Sequence, residues 1–319
     1  MQRRLRPAAA ALLAVVAAAV AAAPALAHDH HGEHPVRAAL PPGAIKHIFV
    51  VELENESEAS TFGPTSPATY LNDTLLPQGE FLKNYYATGH VSLDNYIAQI
   101  SGQAPTEETG ADCLSPTTSA TTLVGSYSDL LPGTLDPNQQ LYPGQVDGHG
   151  CVYPASVQTI ANQLDALHPP NPRTHLAAWR AYAQDMGNQT TGRETGAPDP
   201  LGGLDCAHPQ LGGVDNTNVA TPSDQYATRH NGFVDFHQLG LPIPSPAPGG
   251  GLVGAVLLNR RYIEPGNVDT TGFYNHYSAL RNYEDLLGIT SGGNDGLGHL
   301  GFASSPGLQP FGPDVFTRR

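Results

Sequence analysis

The pattern of apolar and polar positions along this chain predicts a short series of elements. Residues 45–53, IKHIFVVEL, form a near-continuous apolar run rich in β-branched residues, the pattern of a strand buried on both faces. In residues 85–103, YYATGHVSLDNYIAQISGQ, Leu93, Tyr96, Ile97 and Ile100 recur at i, i+3, i+4 and i+7, one face of a helix. Gly102 stands where such a helix stops. Val157, Ile160, Leu164 and Leu167 predict a helix within 154–167, and Trp179, Tyr182 and Met186 suggest another. Residues 252–258, LVGAVLL, read as a second buried strand. Tyr277, Leu280, Tyr283 and Leu287 mark a late helix closed by Gly288. Strands separated by helices make the fold class α/β.

Composition changes the picture between those elements. Glycine and proline number 35 and 29 of 319 residues, about a fifth of the chain against ~12% in average usage. Residues 187–250 and 288–319 carry much of this excess and read as loop. At the other end, Arg3, Arg4 and Arg6 precede an apolar run to Ala23 and the small-x-small site Ala25-Leu26-Ala27. That is the pattern of a cleaved export signal at 1–27, with a mature chain starting near His28, secreted and without a stable membrane anchor. Removing those residues, which hold three arginines and no acid, takes the formal charge from −14 to −17. So acidic a chain argues against nucleic acid as a partner. Residues 28–44 read as a flexible tail whose HDHHGEH opening could also capture a metal ion, the one feature favouring a metal-scavenging protein.

Candidate chemistry gathers at two element ends. Ser92 falls where the 92–101 helix begins, and a serine there reads either as an N-cap or as a nucleophile beside a phosphate-binding helix start. Glu54 and Asn55 follow directly on the 45–53 strand, at the end where open α/β sheets gather their ligands.

Seven blocks, in order, add a likeness. IKHIFVVELENES, YYATGHVSLDNYIAQISGQ, GCVYP, AAWRAYAQDM, DQYATRHNGFVDF, GGGLVGAVLL and YNHYSALRNYEDLLG together resemble the secreted bacterial phosphoesterase family of acid phosphatases and non-haemolytic phospholipases C. That family belongs to the alkaline-phosphatase-like superfamily, and the likeness spans residues 45–303, leaving 304–319 as a C-terminal tail. It implies a three-layer αβα sandwich and hydrolysis of phosphate esters, on a small substrate or a phospholipid headgroup, at a site holding a divalent metal ion. It places Glu54 and Asn55 as metal ligands and Ser92 as the phosphate acceptor. His90 would contact the phosphate or leaving group, or be a surface histidine. Arg229 and His230 would meet the substrate phosphate, and Asn95 would line the site or pack. Tyr96 reads as packing, and His276 as structural at the start of the late helix. Cys113 and Cys151 lie within the span that the likeness covers and in an oxidising compartment, so they should form a disulfide that leaves Cys206 free.

The chain also departs from the family. His237 runs through QLGLPIPSPAPGGG straight into Leu252, omitting the family's Asn-x-x-x-Asp-x-His-Asp and Phe-Asp-Glu stretches, which supply further metal and phosphate ligands. The sheet should therefore be reduced and metal binding weak. The alternative is an impaired homologue that only binds phosphate or metal. Asp205, His208, Asp235 and His237 are the nearest candidates to replace the lost ligands.

Overall fold

A computed structural model describes residues 40–54, 56–106, 108–113, 125–127, 131–132, 144–146, 148–174, 176–186, 213–215, 217, 221–236 and 251–317. All of them fall in one compact unit, His34–Arg319. Residues 1–27, expected as an export signal, and Asn55, Asp205, Cys206, His208 and His237 lie outside the described residues. Among the described residues, no helix is long and apolar enough to cross a membrane.

The architecture is mixed α/β, with short strands and few helices. The helices are α1 (Glu58–Phe62), α2 (Ser92–Ser101), α3 (Ile160–Leu167) and α4 (His276–Leu287). The main sheet has three strands, with β1 (Glu80–Leu82) between β7 (Ala255–Leu257) and β8 (Asn267–Asp269). Phe81 lies opposite Val256 in antiparallel register and opposite Val268 in parallel register. Two-stranded pairs join β2 (Tyr85–Tyr86) to β9 (Tyr274–Asn275), β3 (Gly125–Tyr127) to β6 (Gly213–Asp215), and β4 (Leu131–Pro132) to β5 (Gly148–His149).

Helices α2 and α4 form as their sequence predicts. Leu93, Ile97 and Ile100 are buried, and Gly102 ends α2 at φ 70°, where a Cβ would be strained. Asn275 caps α4 by accepting from Ser278 N at 3.1 Å, and Gly288 closes it. The two helices pack together and separate two apolar clusters. One holds Leu82, Tyr85, Ile263, Tyr274, Ala279 and Leu286; the other holds Leu93, Ile97, Ile100, Val152, Tyr153 and Phe236. The Cys113–Cys151 disulfide is formed and belongs to the second cluster. Closing a loop between residues 38 apart stabilises by about 3–4 kcal/mol in the chain-entropy model.

Four expectations are corrected. Residues 45–53 are not a buried strand. Phe49, Val51 and Leu53 are exposed, because the sheet is built around β1 with both of β1's edges taken by β7 and β8. The second expected strand shrinks to β7, a half-buried edge. The helix within 154–167 starts only at Ile160, where Thr159 and Asn162 form a capping box. Residues 176–186 form no helix. Trp179 instead stacks on Phe233 at 5.2 Å and donates to Asp165 Oδ2 at 3.2 Å, while Tyr182 stays exposed.

The end of the chain is core rather than tail. Phe311, Val315 and Phe316 are buried against Leu82, Tyr85 and Tyr274, and the Phe311 ring meets Tyr274 edge-on at 5.1 Å. Phe311→Ala should therefore lower the free energy of unfolding by roughly 3–5 kcal/mol, as for a buried aromatic. A denaturant titration unchanged by that substitution would return residues 304–319 to the status of a tail.

Candidate active site at the start of helix α2

Ser92 is the first residue of α2, after Val91 as the N-cap. The capping is done from elsewhere: Asp112 Oδ1 accepts from Ser92 N at 3.1 Å and from Leu93 N at 2.9 Å. A carboxylate on the orphan amides of a helix start is favoured by hydrogen bonding and by the helix dipole. Asp112 follows a 3₁₀ turn, Thr109–Ala111, and takes a left-handed φ of 54° next to Cys113.

The Ser92 side chain is thus released from capping and donates to Glu54 Oε2 at 3.0 Å. His230 Nε2 lies 3.5 Å from the same oxygen. Arg229 Nε lies 3.7 Å from Asp112 Oδ2. Glu54, Ser92, Arg229 and His230 arrive from three distant parts of the sequence and form one cluster.

Arg229 and His230 ride on a 3₁₀ turn, Thr228–His230, fixed by a buried network beneath it. Asp215 Oδ1 accepts from Thr217 N at 2.8 Å and Thr217 Oγ1 at 2.7 Å, and Thr217 Oγ1 accepts from Thr228 N at 2.7 Å. Gly232, just beyond, lets this segment approach α2 closely. A Cβ there would stand 3.0 Å from the Cβ of Tyr96.

The remaining predicted residues do not share the cluster equally. Asn95 is spent on the loop before Ser92: its Oδ1 accepts from Thr88 N and Gly89 N, and its Nδ2 donates to Val91 O at 2.6 Å. It shapes the loop with both ends of its amide. His90 is exposed on that loop. His276 is buried at the start of α4, where its Nδ1 lies 3.0 Å from the Tyr85 hydroxyl. Burial pushes its imidazole down to about 4, so it is neutral and structural. Asp235 is buried with neither carboxylate oxygen hydrogen-bonded. Burial first, then the charges of Asp215 and Asp112, push its carboxyl well above the ordinary range.

Three residues of the site were missed or misjudged from sequence. Tyr96 is not mere packing. Burial and then the nearby Glu54 charge push its hydroxyl upward, so it stays protonated. Asp112 had no local signal, since it caps a helix that starts 20 positions earlier. Asp94, inside the helical block, reads only as an acid in a first turn, yet it is fully buried beside Gly89, where any Cβ would overlap its carboxylate.

Electrostatically the site is tuned toward neutral forms. Burial lowers the His230 imidazole and nearby Arg229 adds to this, against the opposing pull of Glu54 and Asp112. Burial raises the Asp112 carboxyl, opposed by the Leu93 amide, Arg229 and the Ser92 amide. Asp94 is pushed up to about 7 by burial and then by the Asp112 charge.

A metal finds little here. Glu54 and the Ser92 hydroxyl offer two oxygens, whereas a hard divalent ion takes about six. Among the described residues, no group of three histidine, cysteine, aspartate or glutamate side chains is placed to hold a metal ion. The described donors do not fit a firmly held ion. Scans against protein-family models, curated proteins and solved structures each returned no match.

Asp94 yields a pH test. Its folded value of about 7 lies above the ordinary 3.8. Its favourable share of stability is therefore complete below pH ~4 and lost as pH rises through about 7. His276, held low by burial, acts in the opposite sense over part of that range, so a difference is the proper readout. Asp94→Asn should gain about 2–4 kcal/mol relative to wild type between pH ~4 and pH ~8. Parallel stability–pH curves for the two proteins would show that Asp94 titrates normally.

Proposed function

We propose that this chain is an exported hydrolase of phosphate esters, a reduced member of the phosphoesterase family it resembles, with Ser92 as the acceptor. The reading includes a cut-down αβα sandwich and only weak divalent-metal binding at Glu54 and Ser92, the site where the likeness also puts Asn55. The observation that carries it is the hydrogen bond from Ser92 Oγ to Glu54 Oε2, made at a helix start with Arg229 and His230 alongside.

In this reading Glu54 takes the Ser92 proton as Oγ attacks phosphorus and the ester oxygen leaves. Arg229 pairs with the non-bridging oxygens, and this requires loosening its contact with Asp112. His90, or His230 once protonated against the lowering that burial imposes, gives a proton to the departing oxygen. Water then releases phosphate from the serine. A small phosphate monoester and the phosphodiester of a phospholipid headgroup both offer non-bridging oxygens to Arg229 and an ester oxygen that must leave protonated, the diester then leaving the serine as a monoester.

Two features set the rate low: the short metal-ligand set, and Asp112 on the amides that a substrate phosphate would otherwise use. The second feature also favours the alternative, a homologue that binds phosphate weakly without turning it over.

Release of nitrophenol from p-nitrophenyl phosphate by the purified chain, with and without added divalent metal, tests the reading. Slow release is expected, abolished by Ser92→Ala. That variant should melt within about 1 kcal/mol of wild type, because Asp112 rather than the serine hydroxyl caps α2. Wild-type turnover in Ser92→Ala would remove Ser92 from the reaction. Brisk turnover with a tightly bound metal would show that other residues complete the site.

A further inference from the structure

Residues 46–53, KHIFVVEL, are held at both ends and bare between. Ile45 N donates to Leu286 O at 3.2 Å. At the other end Glu52 accepts from Gln99 Nε2 at 3.1 Å, and Glu54 accepts from Ser92 Oγ at 3.0 Å. Among the described residues, 46–53 make no backbone hydrogen bond. Ile48 is half-buried and the Glu52 and Glu54 side chains bond to the body, whereas Phe49, Val51 and Leu53 are 91%, 79% and 64% exposed and Val50 between them 48%. Exposure thus alternates in degree with the period of two of an extended strand whose edge is open. Such an edge is a template for another strand.

We infer that this stretch pairs, antiparallel and about a two-fold axis, with the same stretch of a second copy of the chain. Charge selects the orientation. Lys46 and His47 stand at one end, and Glu52 and Glu54 at the other. Parallel pairing would set lysine on lysine and glutamate on glutamate. Antiparallel pairing centred on Val50 sets Lys46 opposite the partner's Glu54 and Phe49 opposite the partner's Val51. Opposite charges and aromatic-to-β-branched pairs are the favourable cross-strand contacts. Because the same patch serves both copies, the contact closes at two and buries the exposed edge.

Light scattering after size exclusion, over a range of concentrations of the full chain, tests this independently of any activity. A mass twice that of the chain is expected, falling on dilution. Val50→Pro and Val51→Pro, made separately, each delete one backbone N–H. Whichever faces the partner breaks the ladder, so one of them should yield a monomer. Neither should unfold the protein, since these residues make no backbone bond within the chain. Lys46→Glu should weaken association roughly tenfold by placing like charges across the pair. A monomer at every concentration, a dimer that survives both prolines, or open-ended larger species would each overturn the inference.

Discussion

The amides at the start of α2 have no partner within the helix, and the way they are satisfied organises the residues around the site. Asp112 reaches them only because the chain turns through left-handed backbone at both Asp112 and Cys113, φ 54° and 57°, a region L-residues adopt at a cost. The disulfide to Cys151 holds that turn down. Two residues on, Tyr153 N donates to Asp235 O at 2.8 Å, and the Tyr153 ring stacks on Phe236 at 4.5 Å. Asp235 and Phe236 end the segment that begins with Arg229 and His230. One run of covalent, hydrogen-bonded and packed contacts thus ties the helix start to Arg229 and His230 beside it. Ser92, spared from capping, is left to Glu54.

How much of this was legible depended on how local each signal is. Helices α2 and α4 could be read because periodic apolar residues and a terminal glycine lie within one short window. Glu54 and Ser92 were candidates by their places at element ends, but only the likeness of whole blocks suggested Arg229 and His230 beside them, since no spacing rule brings position 54 to position 230. Asp112 was not legible at all: a cap supplied from outside the helix leaves no trace beside it. Tyr96 was misjudged because its ring does sit on the apolar side of α2, while its hydroxyl reaches the site. The 45–53 run failed for another reason. Apolar, β-branched residues state that a segment suits a sheet, but only the rest of the chain supplies the partner strands. Here β1, a stretch with no such run, became the centre instead.

That failure bears on the chemistry, because Glu54 stands at the end of the unpaired run. In a sheet, a ladder of backbone bonds would fix the glutamate's position. Here two side-chain hydrogen bonds, from Gln99 to Glu52 and from Ser92 to Glu54, do most of that work. In the proposed reaction, every group that gives or takes a proton must be held in place beforehand, by elements that do not move as charge develops. Ser92 meets that condition on a buried helix, and His230 meets it above the Asp215–Thr217–Thr228 network. Glu54 meets it least. A partner strand laid along residues 46–53 would restore the missing ladder next to the carboxylate. The bare edge and the weakest part of the proposed site are therefore one physical problem, and whatever pairs with that edge also sets how firmly the serine's hydrogen-bond acceptor is held.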